Sequence, residues 1–416
     1  MRAKSKRASR RKRRQQPSPP REFDSTNNSD RGRALWASDE SSEAPSRKNS
    51  VPPALRLHIQ QDVSPHQINP DYFPPWRRWV IPSAAEPSPP APIPPFSDPR
   101  YETFLAVRCN THLREAPSGI SLNCRMLLEQ LLSNCHNSSI NTQEGEAALH
   151  RFFNDRFCIT VQQVANKNKE KLFLDIGCLL VPPVERTYIP ANTPSYRTVA
   201  RLTESVMDSW SNIIPLVPGA APPRPDYAVG FRREAFTRFQ LANLSRFLGN
   251  FPAGDQSIFL ATYYMCFPFL VCHVAGPDEA LDTADRRGAA AAAVSMRAVT
   301  ELYSLLGMTR LIDRQILAWS VSFDHSTVRV YAHYPVLREG FDPRYHRKLV
   351  MSMVYTAAGG DGGEDEEGSE ERFWRTYWFI KAVYEEWSQK QYERIAWALD
   401  HIGVATVPEE GGSDML

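Results

Sequence analysis

The chain has no Cys-x-x-Cys pair, although it carries seven cysteines, and none of them stands at zinc-ligand spacing from a histidine. That removes the sequence signatures of a zinc module and of a thioredoxin-like redox centre. Cys109, Cys124, Cys135, Cys158, Cys178, Cys266 and Cys272 form an odd set, expected to stay as reduced, mostly buried thiols inside the cell. Glycine is sparse, at 20 of 416 residues. No Gly-rich phosphate loop, nucleophile elbow or HExxH zinc motif is present, so the chemistries those motifs carry are not indicated.

Acidic residues are missing from the first fourteen positions, "MRAKSKRASRRKRR", nine of which are Lys or Arg. Such a block repels itself and stays extended. No apolar stretch follows it, so it does not read as a secretory signal. It is either a nuclear-localisation or nucleic-acid-contacting arm, or simply a solvated tail. Long hydrophobic runs are few. From Gln256 to Pro277, "QSIFLATYYMCFPFLVCHVAGP" has no Asp, Glu, Lys or Arg. Pro268 in its middle, two tyrosines, His273 and the β-branched weighting of its second half favour a buried strand over a bilayer span. The protein is expected to be soluble, with no membrane partner.

What is present is unevenly distributed. Residues 51–100 hold fourteen of the 34 prolines, whose rings fix φ and remove backbone donors. Residues 1–100 are therefore expected to be a disordered tail, basic and then Pro-rich. Residues 101–410 are expected to form a single α/β domain around one core. Residues 1–50 carry fourteen Lys and Arg against six Asp and Glu, so with a total of +2 the rest of the chain has about six net negative charges. A weakly acidic body does not announce nucleic acid through its overall field, so any such contact needs a local groove or the tail.

The body divides into elements by periodicity. "TPSYRTVARLTESVMDSWSNI" spaces Val199, Leu202, Val206 and Trp210 by three and four, which predicts an amphipathic helix with Ser195 near its start as a cap. "PRPDYAVGF" predicts a strand, Tyr227 to Phe231, and "REAFTRFQLANLSRFL" a helical stretch. The buried strand "PFLVCHVAGP" follows. Then comes a helix whose Ala291, Val294, Ala298, Leu302 and Leu305 share one face. "RQILAWSVSFDHSTVRVYAHYPV" predicts two strands about a polar turn, Asp324 to Thr327. Residues 357–371, glycine and acid without apolar anchors, are expected to be a disordered loop. Phe373, Tyr377, Ile380, Tyr384 and Trp387 then trace a helical aromatic face, its phase breaks near Ser388, and Tyr392, Ile395, Leu399 and Ile402 resume it.

In this order "RLTESV", "RPDYAVGF", "PFLVCHVAG", "LDTADRRGAAAAAVSMRAVTEL" and "REGFDPRYHR" resemble an uncharacterised fungal domain family with a restriction-endonuclease-like core, the PD-(D/E)XK superfamily. The resemblance covers most of residues 150–402. It implies an α/β fold, a restriction-endonuclease-like mixed β-sheet flanked by helices, with its core at about 195–337 and C-terminal helices at 372–402. Phosphodiester hydrolysis in such a site needs a metal ion, held by carboxylates at the ends of neighbouring strands, and a lysine two residues beyond the second acid. The resemblance puts the first acid at Asp226, the second at His273 and the lysine at Ala275.

Two of those three positions have lost the required chemistry. Imidazole in place of carboxylate lowers the ligand charge and favours softer metals. At Ala275 the cation is gone, with nothing adjacent to replace it. Glu204 on the preceding helix is a candidate to lend a carboxylate, and Arg286 or Arg287 to reach toward the site. Each has a plainer reading: Asp226 as a Pro-Asp turn, His273 as a hydrogen-bonded core histidine, Glu204 as a solvated helix residue, and both arginines as surface partners of Asp282 and Asp285. His325 and His333 lack an acidic partner that would make either a base.

Three readings follow. The first is a catalytically silent nuclease-like domain, with no cofactor, that binds DNA or a protein inside the cell, and in the nucleus if the basic tail is a nuclear address. The second is a divergent Mg²⁺- or Mn²⁺-dependent nuclease using Asp226 and His273 as catalytic and metal-binding residues, with Glu204. The third is a protein-interaction scaffold without a nucleic-acid role.

Overall fold

The charge-free segment becomes the middle of a sheet. In the computed structural model, which describes residues 80–81, 93–140, 159–161, 163–186, 193–354 and 367–402, all ten residues of Met265–Val274 are buried. All described residues fall within the unit 51–416. We number the seven strands of the main sheet β1 (Thr111–His112), β2 (Leu202–Val206), β3 (Tyr227–Arg232), β4 (Met265–Val274), β5 (Ala318–Phe323), β6 (Thr327–Val336) and β7 (Arg344–Val354). Their order across the sheet is β1-β7-β6-β5-β4-β3-β2. Neighbours are antiparallel except β4 with β5 and β1 with β7, which run parallel.

The parallel β4–β5 pair needs a crossover, and the helix α6, Leu281–Leu305, provides it. Its alanines 289–293 let it approach the sheet closely. At Gly288 the approach is tighter still, since a Cβ there would lie 3.1 Å from the Ser320 Cβ. Between β3 and β4 the ladder is irregular: register shifts between Val229 and Phe231, and Phe267 adopts φ 45°. Gly230 fits this bulge because an added Cβ would meet Met265 Cγ at 2.6 Å. Pro268, which has no N–H to donate, sits where that pairing is already interrupted.

Helices cover the faces. α1 is Arg100–Arg108 and α2 Leu122–Ile140. The short α3, Lys169–Leu172, is capped by the Asn168 side chain, which accepts from Lys171 N–H at 3.0 Å. α4 (Pro194–Val199) precedes β2, and α5 (Arg238–Ser245) opens with a capping box between Thr237 and Gln240. α7 (Glu367–Ala382) and α8 (Ser388–His401) are joined by a π turn, Val383–Trp387. The extra residue in that wide turn explains the phase break near Ser388, and it keeps Tyr384, Trp387, Ile395 and Leu399 all buried.

Three expectations need correction. The stretch 193–213 is not one helix: α4 ends at Val199 and Leu202–Val206 is a strand, so Glu204 lies on a strand. Spacings of four in Leu202, Val206 and Trp210 are even, and thus fit a period of two as well as one of 3.6. Helix α7 begins at Glu367, inside the segment expected to be a disordered loop. Strand β7, eleven residues paired along the length of β6, extends the sheet beyond the expected core limit at residue 337. The tail at residues 1–79 lies outside the described residues, whereas residues 93–100 are described and Phe96 packs against Tyr101.

Candidate functional site

Asp226 stands at the last position before β3 and is stitched to both neighbouring strands. Its N–H donates to the Cys272 carbonyl at 3.0 Å, and its own carbonyl accepts from Met207 N–H at 2.9 Å. Because Tyr227 pairs with Cys272, the next pair outward is Asp226 with His273, on one face of the sheet. The structure therefore brings these two predicted residues together, with His273 Nδ1 3.9 Å from Asp226 Oδ2. Both are buried.

The carboxylate is already engaged. Its Oδ2 accepts from Val274 N–H at 2.8 Å and pairs with Lys169 Nζ at 2.9 Å. Lys169 comes from α3, 57 residues upstream of Asp226, so an ammonium reaches this acid from another element rather than from position 275. No spacing marks Lys169 among its neighbours in "NKNKEK"; the only local signal is the Asn168 cap that fixes the start of α3.

His273 has no hydrogen-bond partner at either ring nitrogen, so the plainer reading of a hydrogen-bonded core histidine does not hold. Burial, then the charges of Lys169 and Arg287, push its pKa down to about 3. At neutral pH it is an uncharged imidazole. Ala275 donates its N–H to the Phe323 carbonyl at 2.9 Å and packs with Leu281 and Ala284. The first turns of α6 thus fill the space that a longer side chain at 275 would need.

Glu204 is not part of this cluster. It faces the same side as Val229 and Tyr227, opposite to Asp226 and Ala228. There its Oε2 accepts from Tyr227 Oη at 2.9 Å and from Glu185 N–H at 3.3 Å. The arginines are also elsewhere than expected. Arg286 is buried and binds Glu102 and the Phe96 carbonyl, while Arg287 pairs with Glu279. Asp282 and Asp285 hold Arg329 instead, at 2.8 and 2.7 Å. Helical spacing offered local partners, but α6 is packed on both sides and the partners on neighbouring elements win. His333 bonds Ser320 Oγ at 2.7 Å in the core, and His325 is exposed in the β5–β6 turn.

The donor set does not fit a magnesium ion. It offers one carboxylate whose Oδ2 is already held by an amide and an ammonium, and one neutral imidazole, where a hard cation calls for several free oxygens. Among the described residues no three His, Cys, Asp or Glu side chains are grouped so that they could hold a metal ion. Nor, among them, is any helix long and apolar enough to cross a membrane.

Comparison with known proteins gives no match among curated proteins and none among solved structures. A family model does match residues 156–399, a span that contains Lys169, Asp226 and His273 together with strands β2 to β7. On that match, covering more than half of the sequence, the chain belongs to the family described as Domain of unknown function (DUF7924).

Proposed function

We propose that this is a PD-(D/E)XK-like domain whose hydrolytic site has been closed and which now serves as a binding module, without a cofactor. The observation that carries the reading is the state of Asp226. Its Oδ2 is occupied by Val274 N–H and by Lys169 Nζ, the neighbouring second-acid position is a neutral histidine, and the lysine position is an alanine packed under α6. The antiparallel β2–β3–β4 set, followed by the α6 crossover to parallel β5, supports it by putting Asp226 and His273 at one end of adjacent strands. With the lysine-and-arginine block of residues 1–14 as a nuclear address, the module would work inside the nucleus.

The test is cleavage. Purified full-length protein is incubated with supercoiled plasmid and Mn²⁺ or Mg²⁺, beside Asp226→Ala and Lys169→Ala. The expected result is nicking no greater than in the Asp226→Ala control. One observation favours a second reading, a divergent nuclease: Lys169 brings an ammonium to the acid from a neighbouring helix. Metal-dependent nicking that disappears in both variants would establish that reading and overturn the first.

A further inference from the structure

At the opposite end of the sheet order from Asp226, strands β1 and β7 bring together a second group of polar side chains. Thr111 pairs with Tyr345 and His112 with His346, so the two imidazoles stand side by side across parallel strands. Their rings are stacked, 4.8 Å between centroids and 18° between planes. The next strand continues the row, with Tyr334 on β6 stacked on His346 at 6.0 Å and 26°. Stacked rings do not converge on a metal ion; they present faces.

Two arginines flank this row. Arg114 and Arg344 are exposed, lie within electrostatic reach of both imidazoles, and have no carboxylate partner among the described residues. The nearby acid Glu115 is spent on Lys348, both of its oxygens lying 2.9 Å from Nζ. In a chain whose residues after the tail are net acidic, these two guanidiniums make a local cationic site beside a flat aromatic row.

The imidazoles behave as ring faces rather than cations. Burial and the two arginines lower the pKa of each, and His346 Nδ1–H donates to the Arg114 carbonyl at 3.2 Å, which fixes its tautomer. Since β1 is the outermost strand among the described residues, the row ends at His112, which is only half-buried.

We propose that this edge binds single-stranded nucleic acid, with His112 as the stacking surface for an unpaired base and Arg114 and Arg344 as contacts to adjacent phosphates. Unpaired bases are the partners that gain from an open ring face, because bases in a duplex are already stacked. Guanidiniums match phosphate oxygens in a fork that exposed acidic or neutral side chains do not offer. The site is independent of Asp226, and either reading can fail without the other.

Full-length protein is cross-linked by ultraviolet light to a fluorescein-labelled oligothymidylate, and the adducts are mapped. They are expected within residues 111–114 and 344–347; adducts confined to the basic residues 1–50 would overturn the proposal. In anisotropy titrations of the same protein, Arg114→Gln/Arg344→Gln is expected to raise Kd about tenfold and to lower the slope of log Kd against log salt by about 1.4, for two lost phosphate contacts. His112→Ala is expected to weaken oligothymidylate binding but leave heparin binding unchanged. Unchanged affinity and slope in the arginine variant, or equal losses for heparin and oligothymidylate in the histidine variant, would refute it. Gln and Ala at these partly exposed positions leave the backbone pairing of β1 and β7 in place, and melting curves matching the parent verify that.

Discussion

The two faces of β5 are built from opposite materials. Trp319, Val321 and Phe323 point to the side covered by α7 and α8, where Trp319 meets Phe379 and Trp387 edge-on at 5.3 and 5.6 Å. Ser320 and Ser322 point the other way, toward α6, where Gly288 leaves room for them. The same division holds on its neighbours. On β4, Cys272 and Val274 join the large apolar cluster, while His273 faces α6 with Asp226 across the ladder. On β6, Arg329, Tyr331 and His333 reach Asp285 and Ser320. One side holds the fold by aromatic packing, and the other is a buried polar layer in which Asp226, Asp285, Ser320 and His333 each depend on a particular partner while His273 has none. Asp226 and His273 lie on the second side.

The sharpest way to break this contrast is to cut into both faces. Trp387→Ala empties a fully buried site against Trp319 and Phe269 and is expected to cost about 3–5 kcal/mol in chemical denaturation. On the polar side, Ser320→Ala keeps the Cβ that α6 packs against but strands His333 Nε2, at an expected cost of about 1–3 kcal/mol. Equal losses in the two variants would erase the distinction between the faces.

Acid should attack only the polar side. His273 and His333 are both held near a pKa of about 3 by burial first and by neighbouring cations second, against about 6.5 when unfolded. The unfolded chain therefore binds more protons between those values. Stability is intact above about pH 6.5 and is lost as pH falls toward 3, by about 1.4 kcal/mol per pH unit for each histidine. Denaturation midpoints measured from pH 7 to 4.5 would show it, and a flat profile would contradict it. His273→Leu is the smallest effect expected: the imidazole it removes has no hydrogen-bond partner, so stability at pH 7 should stay level or rise slightly, with the acid slope shallower by one proton.

Much of the apolar side was legible in the sequence. The strand at 265–274, the α6 face through Ala291, Val294, Ala298 and Leu302, the β5–β6 hairpin and the aromatic face of the terminal helices all follow periodicities that burial enforces. In the hairpin, Asp324 Oδ1 accepts from the N–H groups of Ser326 and Thr327, the chemistry its turn position suggests. The polar side was much less legible. Asp226 and His273 could be aligned by resemblance, but Lys169 could not, because an ion pair across 57 residues leaves no spacing to find. Strand β7 was missed for a related reason: "RYHRKLVMSMV" is half exposed, so its apolar residues do not alternate cleanly. The stacked histidines come from pairing β1 with β7, two segments more than two hundred residues apart, and no local pattern joins them.

The widened turn between α7 and α8 also bears on how the chain can change length. It holds one residue more than a regular helix needs, and that surplus is absorbed within residues 383–387. Loss of one position there would let the rod close up into an uninterrupted spiral, with both flanks still aimed as they are. The same loss a few positions later, near Lys390, would swing everything downstream by about 100° and carry Ile395 and Leu399 away from the sheet. The terminal rod thus has one built-in place where a residue can be given up without turning its far end.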